Sequence, residues 1–236
     1  MTPNDDAILH ALRELPAAAC LDALDGMGYV NVQMQGVASL IPGQKIVGRA
    51  VTVRFVPSRP DLRAEVIGGA DSAEYCAMEE CGPGDVLVMD AMRGGWASSA
   101  GDIKLWRLKQ RGAEGVVTDG GVRDLATLRA YGIGVFAARE TNMTMPSHML
   151  PCDLQLPVQC GGVLVRPGDY ITADDGGVVV VPRQLAAQVI AHAQEHEALE
   201  ATVKRQLARE DVSPGKYYPF NDAARELLRR EREESG

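Results

Sequence analysis

The spacing of hydrophobic residues changes along the chain, and each change marks a different predicted element. Over residues 5–26 apolar positions recur at helical spacing, which predicts a helical opening that Pro16 divides into two helices. Over residues 46–56 β-branched residues alternate with polar ones, which predicts a strand that ends at Pro57. Residues 61–80 return to helical spacing. The apolar face of that predicted helix contains Leu62, Val66, Ile67 and Ala70.

The middle of the chain alternates short apolar runs with helical patterns. Strands are predicted at residues 86–90, 116–117, 135–137, 163–165, 170–174 and 178–181, and helices at 103–111, 125–131 and 184–210. The pair Asp174-Asp175, followed by two glycines, is interpreted as a hairpin turn and not as a metal site. Residues 222–234 are predicted to form a short charged helix. Strands that alternate with helices in this way indicate an α/β fold.

Composition narrows the class of protein. The 236 residues carry a net charge of −8, and the only basic cluster, residues 225–232, alternates with glutamates. Because nucleic-acid binding needs a basic face, we expect no nucleic-acid partner. The chain also lacks a GxGxxG fingerprint after a strand and a GxxxxGK[ST] loop, so neither device supports nucleotide binding.

The cysteines and the amino-terminal sequence predict a compartment. The five cysteines form no CxxC pair, so a zinc ribbon or a disulfide framework is not expected and they are predicted to be mainly core residues. The sequence begins without a basic and apolar leader, and no apolar run approaches the roughly 20 residues that span a bilayer. We therefore expect a reduced, cytoplasmic protein without a membrane partner. These cysteines are Cys20, Cys76, Cys81, Cys152 and Cys160.

The first candidate for chemistry is the glycine-rich segment 94–102, which ends in Gly101 and Asp102 just before a predicted helix. The start of a helix presents backbone N–H groups and a positive dipole end, which suit a small anion such as a carboxylate. The alternative is that Asp102 only caps the helix through its side chain. The local sequence leaves both interpretations open.

The second candidate is the segment 117–124, in which a predicted strand meets a glycine turn followed by Arg123 and Asp124. Ligand sites in α/β proteins favour the ends of strands. An arginine recognises a carboxylate or an enolate, and the neighbouring carboxylate can hold a hard cation such as Mg²⁺. The alternative, again open, is that Asp124 is a helix cap and Arg123 a surface residue.

The two candidates together resemble a known family. Asp102, twenty intervening residues and then Arg123-Asp124 are similar to the signature of the class II pyruvate aldolases, which cleave 4-hydroxy-4-methyl-2-oxoglutarate and 4-carboxy-4-hydroxy-2-oxoadipate and belong to the RraA-like superfamily. Segments 111–124 and 166–178 also resemble this family. The resemblance covers about residues 18–205. It implies a layered ββα fold of the α/β class, with a catalytic domain over 1–212 and a tail over 213–236.

The resemblance also implies roles for individual residues. Asp124 would ligate Mg²⁺ or Mn²⁺, and Asp102 would hold water of the metal and serve in proton transfer. Arg123 would contact the oxo group of a small 2-oxo acid substrate and stabilise the developing enolate. Gly101 and the backbone N–H groups of Ile103 and Lys104 would bind the substrate carboxylate.

Assembly and a further catalytic residue are implied in the same way. The resemblance predicts a homotrimer or homohexamer with sites at subunit interfaces, where Glu200 of a neighbouring subunit approaches the metal waters, with Glu197 as second choice. The reaction implied is cleavage of a 4-hydroxy-2-oxo acid to pyruvate and an oxo compound, with decarboxylation of oxaloacetate as a side activity. Lys104 would form no Schiff base.

Two other functions compete with the aldolase. RraA-like regulators that bind a ribonuclease resemble the chain too, but they typically carry glycine at the position of Asp102 and an acidic pair shortly after the Arg-Asp pair. A related lyase or hydratase acting on a sugar-acid derivative would use the same site. His148 is a candidate for the wall of the pocket. His192 and His196 are interpreted as a solvated helix face in preference to a zinc site.

Overall fold

A computed structural model describes residues 3–66 and 68–235 of the chain. Over these residues it forms eight α-helices and eleven β-strands. The helices are α1 (Pro3–Arg13), α2 (Ala17–Gly26), α3 (Leu62–Glu65), α4 (Ala73–Glu80), α5 (Asp102–Gln110), α6 (Leu125–Leu128), α7 (Ala186–Leu207) and α8 (Asp222–Ser235). The strands are β1 (Ala38–Ser39), β2 (Ile46–Pro57), β3 (Asp85–Asp90), β4 (Ser98–Ala100), β5 (Gly115–Val122), β6 (Gly134–Glu140), β7 (Met149–Leu154), β8 (Val158–Cys160), β9 (Val163–Val165), β10 (Tyr170–Asp174) and β11 (Gly177–Val181).

Nine of these strands form one mixed sheet. Its main path runs β1-β6-β5-β3-β2-β10-β11, while β4 pairs with β5 and β7 pairs with β2. The central strands β2, β3, β5 and β6 are parallel neighbours, as expected where helices connect successive strands. β8 and β9 form a separate antiparallel hairpin. The parallel centre confirms the predicted α/β class.

The core is divided between the two faces of the large sheet because successive side chains of a strand point to opposite sides. Leu87 and Val116 pack in a cluster with Leu105 of α5 on the helical side. Their neighbours Val88 and Val117 pack on the other side in a cluster that includes β8 and β9. The order small sheet, large sheet, helices confirms the layered ββα arrangement.

The two ends of the chain form the remaining clusters. α1, α2 and α7 pack against β10 and β11. The exit of α7 packs on α8 through a smaller cluster that includes Leu199, Val203 and Leu228. The predicted helices of the opening and of the tail are therefore confirmed, and the domain boundary at residue 212 stays a prediction. In the described part of the chain every helix is too short or too polar to span a bilayer.

The predicted helix over 61–80 is wrong as a single element. The structure has α3 at its start and α4 at its end, separated by a 3₁₀ turn at Gly69–Asp71. Gly69 adopts a left-handed φ of +67°, which a right-handed helix cannot accommodate. Ile67, predicted on the apolar face, lies outside the described residues.

The predicted glycine turn after Val117 is also wrong. Gly120 and Gly121 lie inside β5, which is longer than predicted and runs from Gly115 to Val122. Their lack of side chains serves packing, since a Cβ at Gly121 would lie 2.3 Å from Thr141 Cγ2. The predicted helix over 125–131 is likewise shortened to α6. The strand was predicted too short because these glycines permit close contact between elements and do not break the strand.

One of these close contacts gives a test of the fold. A Cβ at Gly115 would lie 2.6 Å from the carbonyl oxygen of Gly134 on the neighbouring strand, and a backbone atom cannot rotate away. We expect Gly115→Ala to lower the free energy of unfolding by about 1–3 kcal/mol, measured by chemical denaturation. Gly26→Ala is the control, because nothing lies within 4 Å of a Cβ at that position. Equal stability of the two variants would contradict the expectation.

Candidate active site

A cavity of about 590 Å³ opens beside the first turn of α5. The fold brings the two candidate segments to it because β4, which leads into α5, pairs with the end of β5, which leads into Arg123. Of the sequence-predicted residues, the cavity lining includes Gly101, Asp102, Ile103, Lys104, Arg123 and Asp124. Two segments separated by about twenty residues in the sequence therefore line the same cavity.

Asp124 adopts an unusual backbone conformation. Its φ is +62° and its ψ is 31°, in the left-handed region that aspartate tolerates better than most non-glycine residues. Its Oδ2 accepts a hydrogen bond of 3.2 Å from the backbone N–H of Asp102. The Asp124 carboxylate therefore lies at the start of α5 and faces the cavity, although the residue itself precedes α6.

Neither aspartate side chain makes a capping hydrogen bond to the helix that follows it in the sequence. Gly101 occupies the cap position of α5, so Asp102 is the first residue of that helix. Asp124 stands at the cap position of α6, but its side chain makes no capping bond there. Gly101 leaves room for the contact, since a Cβ at this residue would lie 3.0 Å from Asp124 Oδ2 and 3.3 Å from Arg123 Cβ.

Asp102 has a partner that the sequence did not reveal. Its Oδ1 accepts a hydrogen bond from the hydroxyl of Tyr131. The Tyr131 ring packs edge-on against Trp106, with ring centroids 5.1 Å apart. Two effects raise the pKa of Tyr131 above its ordinary value: the larger is the hydrogen bond to the Asp102 carboxylate and the next is desolvation. The phenol therefore stays protonated and acts as a donor. Tyr131 thus fixes the orientation of the carboxylate.

The start of α5 has the features that suit a small anion. In the first turn of a helix the backbone N–H groups lack intrahelical partners, and Ile103 and Lys104 of this turn line the cavity. The dipole of the helix adds partial positive charge at the same end. Arg123 lies beside it, with its Nε 3.8 Å from Asp124 Oδ2 and its side chain 40% exposed. A small carboxylate is the natural ligand of such a surface.

The side chain of Lys104 does not point to free solvent. Its Nζ lies 2.5 Å from Oε2 of Glu74 and 3.2 Å from the carbonyl oxygen of Ser99. Glu74 on α4 is almost completely buried, with a side chain 6% exposed. Glu74 was not predicted from the sequence, because the contact depends on how α4 packs on α5.

The donor set fits a hydrated hard cation. Among the described residues no group of three or more His, Cys, Asp or Glu side chains could form a metal cage. The two carboxylates that line the cavity without a lysine partner are those of Asp102 and Asp124. Mg²⁺ and Mn²⁺ accept oxygen ligands, and Mg²⁺ commonly keeps several waters while one or two carboxylates bind it. Zinc and calcium, which need more protein ligands, suit this set less well.

Two predicted residues, Glu200 and His148, do not line the cavity of this chain. Glu200 lies on α7, where its Oε2 accepts a hydrogen bond of 2.6 Å from Lys204, and it does not line the cavity of its own chain. Its role in a neighbouring subunit therefore stays a prediction. His148 packs edge-on against Trp96 at 4.6 Å between ring centroids, while Thr144, Met145 and Pro146 of the same loop line the cavity.

The structure also bears on the histidines of α7, the Asp174-Asp175 turn and the cysteines. His192 is exposed, as predicted for a solvated helix face, whereas His196 is partly buried because its ring packs edge-on against Phe220. Among the described residues neither histidine belongs to a group of three or more side chains that could hold a metal ion. Asp174 pairs with Gly177 where β10 turns into β11, which confirms the hairpin. Of the five free cysteines three are buried and Cys152 is exposed.

A layered α/β fold with a cavity that combines two carboxylates, an arginine and the start of a helix defines the structural class of the protein. The comparisons make the class specific. A family model described as "RraA-like: Aldolase/RraA" matches residues 17–180, and the chain belongs to this family.

Individual relatives agree with that assignment. A protein of Halalkalibacterium halodurans, provisionally named a 4-hydroxy-4-methyl-2-oxoglutarate aldolase, is 31% identical over 208 residues, which are 88% of this chain and 92% of the relative. The structure of an uncharacterised protein from Pseudomonas syringae pv. tomato is similar to this one, with a TM-score of 0.76 and 26% sequence identity. The match covers 89% of this chain and 96% of the Pseudomonas chain. Streptomyces coelicolor RraAS2, described as an unusual member of the RNase ES inhibitor RraA family, is similar with a TM-score of 0.75 at 32% identity, covering 83% and 94%.

Proposed function

We propose that the protein is a divalent-metal-dependent aldolase that cleaves a 4-hydroxy-2-oxo acid to pyruvate and a second oxo compound, with decarboxylation of oxaloacetate as a side activity. The observation that carries the proposal is the convergence of Asp102, Arg123, Asp124 and the start of α5 on one cavity. The relative provisionally named as an aldolase of this type supports it.

Different residues bind different parts of the substrate and the metal. The N–H groups of Ile103 and Lys104, with the dipole of α5, hold the substrate carboxylate. Arg123 donates hydrogen bonds to the oxo oxygen, where negative charge develops as the bond between C3 and C4 breaks. Asp124 would hold Mg²⁺ or Mn²⁺, which supplies Lewis-acid stabilisation of the developing enolate when bound.

Proton transfer falls to Asp102. Cleavage requires a base to remove the proton of the C4 hydroxyl, after which the electron pair of the C3–C4 bond forms the enolate of pyruvate. The Asp102 carboxylate lies in the cavity, and its Oδ1 is held by Tyr131, which leaves Oδ2 to receive the proton directly or through water. Glu200 of a neighbouring subunit, in a homotrimer or homohexamer, would add a second carboxylate at this point.

The proposal is tested by pyruvate release from several 4-hydroxy-2-oxo acids and from oxaloacetate. Activity is measured with Mg²⁺, after removal of divalent ions by a chelator, and after Mg²⁺ or Mn²⁺ is restored. We expect turnover that disappears with the chelator and returns with the metal. The proposal fails if no acid releases pyruvate, or if the chelated protein is as active as the restored one.

Tyr131 gives a prediction that separates positioning from folding. We expect Tyr131→Phe to lower kcat by about 10-fold to 100-fold with a smaller change in KM, because the Asp102 carboxylate loses the donor that orients it. The control is Tyr217→Phe, which removes a similar hydroxyl-to-carboxylate bond, 3.0 Å to Glu210, far from the cavity. An equal loss of kcat in both variants would show that the effect of Tyr131 is only structural.

A second candidate function is regulation of a ribonuclease by binding. The similarity to Streptomyces coelicolor RraAS2, at 32% identity, favours it. Such a protein would act through its surface and would need neither the metal nor Asp124. Inhibition of a ribonuclease E-type enzyme by both the wild type and Asp124→Asn, together with no pyruvate release, would support this function over the aldolase.

A further inference from the structure

Two elements outside the predicted motif complete the wall of the cavity. α4 contributes Glu74 and Tyr75, and the loop before β7 contributes Thr144, Met145 and Pro146. The last four of these side chains are neutral, so Glu74 brings the only charge of the set. These residues face whatever part of a substrate extends beyond the reacting carbons.

The charge of Glu74 is matched by Lys104. The two side chains are 6% and 19% exposed, and Lys104 Nζ lies 2.5 Å from Glu74 Oε2. A second bond of 3.2 Å joins the same nitrogen to the carbonyl oxygen of Ser99. If Lys104 turned to another anion, a nearly buried carboxylate would lose its partner, which is strongly unfavourable. The ammonium group is therefore committed to the protein.

Arg123 is the other cation among the described residues that line the cavity. In the proposed reaction it contacts the oxo group, close to Asp124. A second carboxylate at the far end of the substrate would thus share the cavity with the Glu74 carboxylate and find no uncommitted cation among the described lining residues of this chain. Burial of an unpaired charge is costly, whereas apolar groups and hydroxyls can contact Tyr75, Thr144 and Met145 without that cost.

We infer that the substrate is a 4-hydroxy-2-oxo acid with a single carboxylate and a neutral group, apolar or hydroxylated, at its far end. This inference rests on the proposed aldolase function. It separates the chain from the dicarboxylate in the provisional name of its relative. Oxaloacetate is compatible with it, because the second carboxylate of oxaloacetate is the group that leaves and does not extend into the far part of the cavity.

The test compares two substrates of similar size that differ in charge. 4-Hydroxy-2-oxoglutarate ends in a carboxylate, and 4-hydroxy-5-methyl-2-oxohexanoate ends in an isopropyl group at the same position. We expect kcat/KM for pyruvate release with Mg²⁺ to be at least about tenfold higher for the isopropyl acid. If the dicarboxylate is cleaved equally well or better, the inference is overturned and the aldolase function stands. If neither acid nor any other in the panel releases pyruvate, the aldolase function itself fails.

A variant tests whether the pair sets this preference. Glu74→Gln keeps the size of the side chain and an oxygen acceptor for Lys104 but leaves the lysine charge uncompensated. We expect the ratio of kcat/KM for the dicarboxylate to that for the isopropyl acid to rise about tenfold. Glu79→Gln is the matched control, because Glu79 also joins α4 to α5, through Arg107 at 2.6 Å, on the exposed surface. A ratio in Glu74→Gln equal to that in Glu79→Gln would overturn the role of the pair, with thermal melting used to show that both variants are folded.

Discussion

Replacement of Asp124 by asparagine is expected to lower kcat/KM for pyruvate release by at least about a thousandfold. Asparagine has the same shape and can still accept the hydrogen bond from the Asp102 N–H, so the start of α5 is retained. What is lost is the negative charge that would hold Mg²⁺ or Mn²⁺ at the cavity. The measurement is steady-state pyruvate release over a range of Mg²⁺ concentrations, accompanied by a binding titration with Mn²⁺.

The control for this variant is Asp153→Asn. Asp153 also pairs with an arginine, Arg54, but on the surface and away from the cavity. We expect it to retain wild-type kcat/KM and Mn²⁺ binding. An Asp124→Asn enzyme that reaches the wild-type rate at saturating Mg²⁺ would contradict the assignment of Asp124 as the metal ligand.

The fold was predictable where one local rule decides the structure. The alternation over 46–56 became β2, and the proline at 16 divided α1 from α2, because strand pleating and the missing proline N–H act within a few residues. Gly120 and Gly121 misled the prediction because a glycine that ends a strand and a glycine that admits a neighbour look alike in a sequence. The distinction lies in Thr141 and Ala91, which only the folded chain brings close.

The candidate site, like the fold, was predictable from the sequence only in part. The Asp102 and Arg123-Asp124 segments were found because their spacing forms a motif, and the structure places them on one cavity. Tyr131 and Glu74 were missed, since each contacts the site across about thirty residues, Tyr131 from the turn after α6 and Glu74 from α4. Nothing in the local sequence around a single tyrosine or glutamate distinguishes it from a surface residue. The residues that orient the site and shape its far end therefore required the three-dimensional arrangement.

The second large effect is expected for Arg123. Arg123→Lys keeps the positive charge but loses the planar group that can donate two parallel hydrogen bonds to oxygen atoms. We expect kcat to fall by about 10² to 10³, the range seen when one donor to a developing oxyanion is removed. The measurement is again steady-state pyruvate release, with Arg54→Lys as the control because Arg54 forms an analogous ion pair with Asp153 on the surface.

The two variants separate two functions that lie side by side in the site. If Arg123 stabilises the enolate and Asp124 holds the metal, Arg123→Lys should still bind Mn²⁺ while Asp124→Asn should not. Both rates would then be low for different reasons, and the Mn²⁺ titration would show which function each variant has lost. An Arg123→Lys enzyme with wild-type kcat would remove the arginine from the reaction. Loss of Mn²⁺ binding in that variant would instead assign Arg123 to holding Asp124 in its left-handed conformation, where the Nε of Arg123 lies 3.8 Å from Oδ2.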